Sequence, residues 1–167
     1  IMKLSVIIPV FNEESTIDEI ISRVHNLQLE GIEHKEIIIV DDGSTDGTRG
    51  VLEQYREKSG IIVFLQSNNK GKGAAVRKGF ELATGDIWLV QDSDLEYNPR
   101  DYPKLLAPIL ENNADVVYGS RFVGGGANRV LFYWHSWGNK VLTTLSNMFT
   151  NLNLTDMECG YKVFRKE

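Results

Sequence analysis

The sequence predicts an α/β domain with a mainly parallel central sheet, and two observations support this prediction. Short runs of β-branched and apolar residues alternate along the chain with segments whose apolar residues recur at helical spacing. The apolar runs are nearly continuous, which is typical of strands covered on both faces, and the alternation favours right-handed crossovers between parallel strands. A chain of 167 residues suffices for one hydrophobic core, so we expect a single domain over residues 1–167.

Each predicted element follows from one of these two patterns. The predicted strands are residues 4–10, 36–40, 61–66, 86–90 and 115–119. Three helices are indicated by Ile17, Ile20, Ile21 and Val24, by Val76, Phe80 and Ala83, and by Leu105, Leu106, Ile109 and Leu110. Helices are also expected over residues 48–55 and within residues 130–149, and residues 161–165 have the composition of a further strand.

Charge and composition exclude several classes of protein. The net charge of -5 argues against binding nucleic acid, which usually requires a basic excess. The single cysteine, Cys159, cannot form an internal disulfide, and no apolar run is long enough to cross a bilayer. The sequence therefore predicts a cytoplasmic protein, with no charged and apolar leader at its start.

Three acidic side chains follow the fourth predicted strand, in the segment LVQDSDLEYNP at residues 89–99. Ligands of open parallel sheets bind beyond the carboxyl ends of the strands, where the polar residues after the first four strands are expected to converge. Asp92, Asp94 and Glu96 repel one another unless a positive charge lies between them, and carboxylate oxygens suit Mg²⁺ or Mn²⁺. The hypothesis is a cation that carries a nucleoside diphosphate; the alternative is a solvated turn.

Five segments, in their order and spacing, resemble the family 2 glycosyltransferases with the GT-A fold. They are SVIIPVFNEE, EIIIVDDGSTDGT, NKGKGAAVRKGFELATGD, QDSDLEYNP and VYGSRF. The resemblance is greatest to the dolichyl-phosphate mannose synthase and bacterial polyprenyl-phosphate glycosyltransferase branch. It implies a GT-A (nucleotide-diphospho-sugar transferase) Rossmann-like sandwich, truncated at its C-terminal end, and inverting, metal-dependent transfer from a UDP- or GDP-sugar.

The resemblance also implies roles for individual residues. The nucleotide-sugar would contact Pro9, Phe11, Glu13, Val40, Asp42, Lys72, Asp92 and Ser93. Asp92, Asp94 and Glu96 would hold Mg²⁺ or Mn²⁺, although mannose synthase relatives often carry glutamine at the position of Glu96. Asp94 and Asp156, together with Arg121, would form the catalytic set. Helix capping is the alternative role for the Asp and Ser residues around Asp42.

The acceptor decides whether the reaction needs a base. A saccharide hydroxyl must lose a proton as it attacks, and Asp156 lies where hydroxyl-transferring relatives carry their base. A polyprenyl phosphate of the dolichyl or undecaprenyl type is already ionised, and Arg121, Arg129 and Arg165 would bind its phosphate through paired donors. We expect the lipid phosphate; the alternatives are a saccharide acceptor and an inert nucleotide-binding fragment.

Aromatic residues crowd one end of the segment at 130–149. Phe132, Tyr133, Trp134 and Trp137 suit a helix at a boundary between an apolar and an aqueous phase. Ordinary core packing is the default interpretation; the functional alternatives are an interfacial helix that makes peripheral contact at the inner face of the membrane and guides a lipid tail, and a subunit contact in a homo-oligomer.

Overall fold

The computed structural model describes residues 2–120 and 133–166, with side chains from residue 137 onward in the second range. Its strands are β1 (Met2–Val10), β2 (Ile32–Asp41), β3 (Ile61–Leu65), β4 (Ile87–Val90), β5 (Val116–Tyr118) and β6 (Lys162–Arg165). Its helices are α1 (Ile17–Asn26), α2 (Thr48–Glu53), α3 (Lys72–Leu82), α4 (Tyr102–Leu110) and α5 (Tyr133–Thr150). Within these residues, no helix is both long and apolar enough to span a bilayer.

The strands form one sheet with the order β3-β2-β1-β4-β6-β5. Neighbouring strands from β3 to β4 are parallel, whereas β6 is antiparallel to both β4 and β5. The prediction of a mainly parallel sheet is confirmed, and the strand suggested at 161–165 is β6. Because β1 lies between β2 and β4, the chain changes direction across the sheet at β1, which is where ligands bind in open α/β sheets.

Strand β2 begins earlier than the sequence predicted, at Ile32 instead of Glu36. Of its first four residues, Glu33 and His34 are exposed and only Ile32 is apolar, so they lack the continuous apolar character on which the prediction depended. They pair with the start of β1, with Lys3 opposite His34 and Leu4 opposite Lys35. Tertiary pairing therefore extends the strand beyond its hydrophobic run.

Both faces of the sheet are covered, which explains the uninterrupted apolar strands. On one face, Val6 and Ile8 of β1 pack in the main core cluster with residues from α1, α2 and α4. On the other face, Ile7 of β1 and Ile38 of β2 pack beneath α3. Helix α3 therefore runs across the face of the sheet, and its first turn lies at the carboxyl edge of the strands.

Candidate functional site

A cavity of about 270 Å³ opens at the carboxyl ends of β1, β2 and β4. It is lined by Pro9, Val10, Phe11, Glu13, Asp42, Asn69, Gly71, Lys72, Asp92, Ser93 and Asp94. These residues come from the end of β1 and from the segments after the first four strands, so the expected convergence is observed. The hydroxyl of Ser93 donates to the carbonyl of Pro9 at 3.2 Å and joins the ends of β4 and β1.

Val40 is the one residue of the predicted nucleotide-contacting set that does not line the cavity. Its side chain is fully buried and packs with Ile7, Ile38 and Ala75 beneath α3. The alternation of β2 turns this side chain into the core, so a contact between Val40 and the nucleotide stays a prediction that only its backbone could fulfil. Asp42, two positions later, lies at the cavity on the same face.

Asp42 is a buried carboxylate with only one oxygen engaged by the described residues. Its Oδ1 accepts hydrogen bonds from the side chain of Gln66 at 2.7 Å and from the backbone N–H of Lys70 at 2.8 Å. Its other oxygen receives no hydrogen bond from the residues that the structure describes. The carboxylate is therefore held in place with one acceptor left for a ligand.

Gln66 is a residue that the sequence reasoning did not select as part of the site. It follows β3 and its backbone N–H donates to the carbonyl of Asp41 at 2.8 Å. The available signal was its polarity, because it ends a predicted strand whose other residues are mostly apolar. A buried amide at that sheet edge needs a polar partner, and Asp42 supplies it.

The loop after β1 is tied to the loop after β2. The backbone N–H of Asn12 donates to the hydroxyl of Ser44 at 2.9 Å, and the side-chain oxygen of Asn12 accepts from the backbone N–H of Thr45 at 2.8 Å. Ser44 thus joins the loops and does not cap α2, whereas Asp46 accepts from the backbone N–H of Thr48 at 3.0 Å. These bonds fix the loop from which the exposed ring of Phe11 borders the cavity.

Asp92 already has a positive partner in this structure. Its Oδ1 lies 2.5 Å from the ammonium of Lys72, the first residue of α3. The same Oδ1 is buried and makes no well-aligned hydrogen bond with any described residue, so the ion pair is its main compensation. The positive charge that the acidic turn requires is thus supplied by a lysine.

The three carboxylates of the acidic turn do not form one cluster. Asp94 is exposed and accepts the backbone N–H of Glu96 at 3.0 Å, while Leu95 between them has a φ of 62°. This left-handed residue breaks the alternation that would have pointed Asp94 and Glu96 the same way, and Glu96 does not line the cavity. The three predicted ligands are therefore not assembled here: the described residues contain no group of three acidic, histidine or cysteine side chains placed to hold a metal ion, and the ligand role of Glu96 stays a prediction.

Asp92 and Asp94 nevertheless fit a divalent cation as a pair. Both line the cavity, and the buried Oδ1 of Asp92 has only the movable ammonium of Lys72 as its charged neighbour among the described residues. Two carboxylates plus the oxygens of a diphosphate match the coordination that Mg²⁺ adopts at nucleotide sites. Among the described residues, this pair of carboxylates therefore suits Mg²⁺ or Mn²⁺.

The buried side chain of Gln91 holds the backbone of the acidic turn. The Oε1 of Gln91 accepts the hydroxyls of Tyr102 at 2.9 Å and Tyr161 at 3.0 Å, and its Nε2 donates to the carbonyl of Asp92 at 2.9 Å. Burial raises the pKa of Tyr102 well above its ordinary value, and burial with the nearby charge of Asp101 raises the pKa of Tyr161. Both hydroxyls therefore stay protonated and donate to Gln91.

Gly160 closes the other side of Asp92. A Cβ on this residue would lie 2.2 Å from Oδ2 of Asp92 and 2.8 Å from the ring of Tyr97. The backbone N–H of Gly160 donates to the hydroxyl of Tyr97 at 3.0 Å. Only glycine fits this close approach, which brings the segment before β6 against the acidic turn.

Asp156, the predicted base, is buried and does not line the cavity. Its Oδ1 accepts from the side chain of Asn139 in α5 at 2.8 Å. Arg121 and Arg129 lie outside the described residues, so their predicted contacts with a phosphate stay predictions.

Arg165 lies at the opposite edge of the sheet from the cavity. It pairs in register with Ile87, the first residue of β4, whereas the cavity lies beyond Val90, the last residue of that strand. Its guanidinium donates to the carbonyl of Ile109 and lies 3.5 Å from the carboxylate of Asp115. Antiparallel pairing carries the end of β6 away from this cavity, so the binding of an acceptor phosphate by Arg165 stays a prediction that its present contacts do not support.

Comparison with known proteins gives consistent matches over most of the chain. A sequence profile described as Glycosyl transferase family 2 matches residues 5–167. The chain is 41% identical over 125 residues to a dolichol-phosphate mannosyltransferase of Pyrococcus furiosus, covering 75% of this chain and 35% of that protein. It is 31% identical over 166 residues to an undecaprenyl-phosphate 4-deoxy-4-formamido-L-arabinose transferase of Pseudomonas savastanoi pv. phaseolicola, covering 98% of this chain and 47% of that protein. The chain thus spans less than half the length of these relatives.

Among solved structures, the fold is similar to that of glucosyl-3-phosphoglycerate synthase from Mycobacterium tuberculosis in complex with Mn²⁺, UDP and glucosyl-3-phosphoglycerate. The TM-score is 0.71 with 25% sequence identity, covering 98% of this chain and 57% of that one.

Proposed function

Because this chain belongs to glycosyl transferase family 2 and has the GT-A fold, we propose that its cavity binds the nucleoside diphosphate of a sugar donor. The observation that supports this most is the set of groups around one opening: an aromatic ring, a half-engaged carboxylate, an ammonium and a pair of acidic side chains. Each matches a different part of a nucleotide-sugar. The full reaction proposed is inverting transfer of the sugar to a polyprenyl phosphate.

The residues nearest β1 and β2 suit the nucleoside. Phe11 offers a ring face for the base, and Glu13 lies beside it at the cavity. The open oxygen of Asp42 accepts an N–H of the base or a hydroxyl of the ribose. Because Gln66 and Lys70 fix the carboxylate, little conformational entropy is lost when the ligand binds.

The diphosphate would lie between α3 and the acidic turn. Gly71 and Lys72 at the first turn of α3 border the cavity, and no side chain caps this helix. Unpaired amides at a helix start and a nearby ammonium both favour a phosphate. Asp92 and Asp94 would hold Mg²⁺ or Mn²⁺, which when bound neutralises charge that develops on the leaving diphosphate.

Binding and turnover experiments test this proposal separately. Calorimetric titration with UDP and GDP, each with and without Mn²⁺, should give cation-dependent binding of at least one nucleotide. UDP is the first choice, since the similar mycobacterial enzyme was solved with it. A panel of radiolabelled donors with undecaprenyl and dolichyl phosphate should then give a product that partitions into organic solvent. Failure of both nucleotides to bind would favour an inert scaffold.

The names of the two relatives favour a lipid phosphate as acceptor, since each acts on one. An ionised phosphate attacks without a general base, so the buried position of Asp156 is compatible with this acceptor. Transfer to a saccharide hydroxyl is the second candidate, in which Asp156 removes the proton. Replacement Asp156→Asn distinguishes the two: loss of turnover with nucleotide binding intact would favour the saccharide.

One face of α5 suits contact with a lipid surface. Trp137, Val141, Leu145 and Met148 recur at helical spacing and are exposed, and the adjacent Phe149 is 88% exposed. The sequence has no Asp or Glu between Asp115 and Asp156, although the chain as a whole has a net charge of -5. An apolar face in a segment free of acidic residues complements an anionic membrane, and we expect it at the inner leaflet.

Vesicle flotation tests this contact. The protein should float with vesicles that contain phosphatidylglycerol more than with phosphatidylcholine vesicles, and Phe149→Glu should lower the bound fraction. Thr150→Glu adds the same charge to an exposed residue outside this face and serves as the control. Equal binding by both variants would contradict the assignment, and dimerisation lost only in Phe149→Glu would indicate a second copy instead.

A further inference from the structure

The ion pair between Lys72 and Asp92 joins two groups that the proposed function requires for different ligands. Lys72 begins α3 on one side of the cavity, and Asp92 begins the acidic turn on the other. Their charged atoms lie 2.5 Å apart, and this contact compensates the buried Oδ1 of Asp92. While the pair is formed, Asp92 is less available to a cation and Lys72 less available to a phosphate.

Asp92 is the fixed member of the pair. Gln91 holds its backbone carbonyl, and Gly160 leaves no space beyond Oδ2. Its side chain is only 13% exposed. Asp92 therefore has little freedom to turn away from the position in which it meets Lys72.

Lys72 is the movable member. Its side chain is 60% exposed, and its four-carbon stem has several rotatable bonds. Gly71 and Asn69, on the same side of the cavity, leave the region above the first turn of α3 open to a ligand. The ammonium can thus reach a phosphate at the start of α3 by rotating its own stem, without a change in the backbone.

We propose that Lys72 is a resident counter-charge for Asp92 that exchanges with the divalent cation, so that cation binding and diphosphate binding promote each other. This inference rests on the proposed nucleotide-binding function. In the ligand-free protein Lys72 neutralises Asp92. When the diphosphate is present, Lys72 moves to its oxygens and Asp92 becomes free for the cation. Linkage requires the converse as well: a cation on Asp92 releases Lys72 for the phosphate.

The replacement Lys72→Met separates this role from a merely structural one, because it changes two affinities in opposite directions. Without nucleotide, Mn²⁺ should bind the variant about two- to fivefold more tightly, since the cation no longer displaces a half-exposed ion pair. UDP should bind about tenfold more weakly, because a charge-assisted contact is lost. Both affinities are measured by calorimetry, and free Mn²⁺ by electron paramagnetic resonance.

Two further variants control for charge and for folding. Arg77→Met removes a positive charge from an exposed position of the same helix and should leave both affinities within twofold of the original values. Lys72→Arg keeps the charge beside Asp92 and should keep Mn²⁺ affinity close to that of the unmodified protein. If Lys72→Met unfolds, Lys72→Gln gives the same pair of measurements.

Opposite signs for the two ligands would support the exchange. A Lys72→Met protein that binds Mn²⁺ alone with equal or lower affinity would overturn it, even if UDP binding falls as expected. In that case the proposed nucleotide site stands and only the exchange fails. If the unmodified protein binds neither Mn²⁺ nor any nucleotide, the proposed function fails and the exchange fails with it.

Discussion

Glu36 in β2 and Asp42 just after it are both buried carboxylates on the face of the sheet that α3 covers, about 20 Å apart along an extended strand. Glu36 has both oxygens occupied: Oε1 accepts from Ser5 at 2.6 Å and from the backbone N–H of Thr84 at 2.7 Å, and Oε2 lies 2.6 Å from the ammonium of Lys3. Asp42 has donors on one oxygen only. Strand β2 thus carries a carboxylate whose hydrogen bonds are complete, and the residue directly after the strand is a carboxylate with one acceptor oxygen still open.

The difference separates stability from function. A buried carboxylate whose donors all come from the protein can only stabilise the fold, because a ligand has no acceptor to use. Asp42 has one open oxygen at the cavity, and Asp92 is neutralised by a lysine that can move. Such carboxylates contribute less to stability, and each can still bind a ligand. Mutations around Glu36, next to the C-terminal end of α3, should therefore change the free energy of unfolding. Mutations around the cavity, next to the N-terminal end of α3, should change ligand affinity.

The largest expected effect is on stability, from Glu36→Ala. This change leaves Lys3, Ser5 and the backbone of Thr84 without their shared acceptor, and we expect a loss of about 2–3 kcal/mol in the free energy of unfolding. UDP affinity should stay within twofold. Urea unfolding measures the first and calorimetry the second. Glu33→Ala, at an exposed position of the same strand, is the control. Weaker UDP binding by the Glu36 variant would contradict the assignment of Glu36 to stability alone.

The pH dependence of stability sharpens the same point. Burial alone would raise the pKa of Glu36, but the bonds from Lys3, Ser5 and Thr84 outweigh it and lower the pKa from 4.5 to about 2. In that window the unfolded chain binds more protons than the folded one, so stability falls as the pH is lowered from 4.5 towards 2. Urea unfolding at pH 6 and pH 3.5 should show a smaller loss in Glu36→Gln than in the unmodified protein. Equal losses would mean that Glu36 titrates normally.

At the edge of the sheet that carries the cavity, the largest expected effect on ligand affinity is from Gly160→Ala. The added methyl group would overlap with Oδ2 of Asp92, and the turn must shift to accept it. We expect binding of UDP in the presence of Mn²⁺ to weaken about thirtyfold, which corresponds to about 2 kcal/mol of overpacking. Gly50→Ala, where a methyl group would meet nothing within 4 Å, should bind normally. An unchanged affinity in Gly160→Ala would show that the position of Asp92 does not limit binding.

Asp42→Asn tests the half-engaged carboxylate directly. The amide oxygen can keep the bonds from Gln66 and Lys70, but the NH₂ group that replaces the open oxygen donates instead of accepting and the negative charge is lost, so UDP affinity should fall about tenfold. The free energy of unfolding should change by less than about 1 kcal/mol, since the open oxygen makes no bond to the described residues. Asp115→Asn, an exposed residue beside β5, is the matched control. A large loss of stability in Asp42→Asn would show that Asp42, like Glu36, serves mainly to stabilise the fold.

The sequence predicted the fold well because its signal is local. The continuous apolar runs that identify β1, β3 and β4 and the helical spacing of α1 and α4 each lie within one segment. Loop residues of the site were predicted by the resemblance and by their positions after strands. The separation of Glu96 from the cavity could not be predicted, because spacing in sequence does not reveal a left-handed residue such as Leu95.

The supporting residues of the site could not be predicted in the same way. Gln66 and Gln91 act on carboxylates through contacts that depend on how the strands align, and Gly160 approaches Asp92 across 68 positions of chain, from 92 to 160. No periodic pattern encodes such contacts. Gln66 and Gln91 share one sequence signal, which is a polar residue directly after an apolar run, and the structure shows that both are buried.

The smallest expected effect comes from Gln66→Leu, which sharpens the comparison by leaving Asp42 itself unchanged. The leucine removes one of two donors to Oδ1, and the backbone N–H of Lys70 still holds the carboxylate. UDP should bind about three- to fivefold more weakly, as expected for the loss of one hydrogen bond that orients a ligand group. If Gln66 acts only through Asp42, the double variant with Asp42→Asn should be no weaker than Asp42→Asn alone, and calorimetry on the four proteins measures this coupling. Additive losses would mean that Gln66 contacts the nucleotide itself.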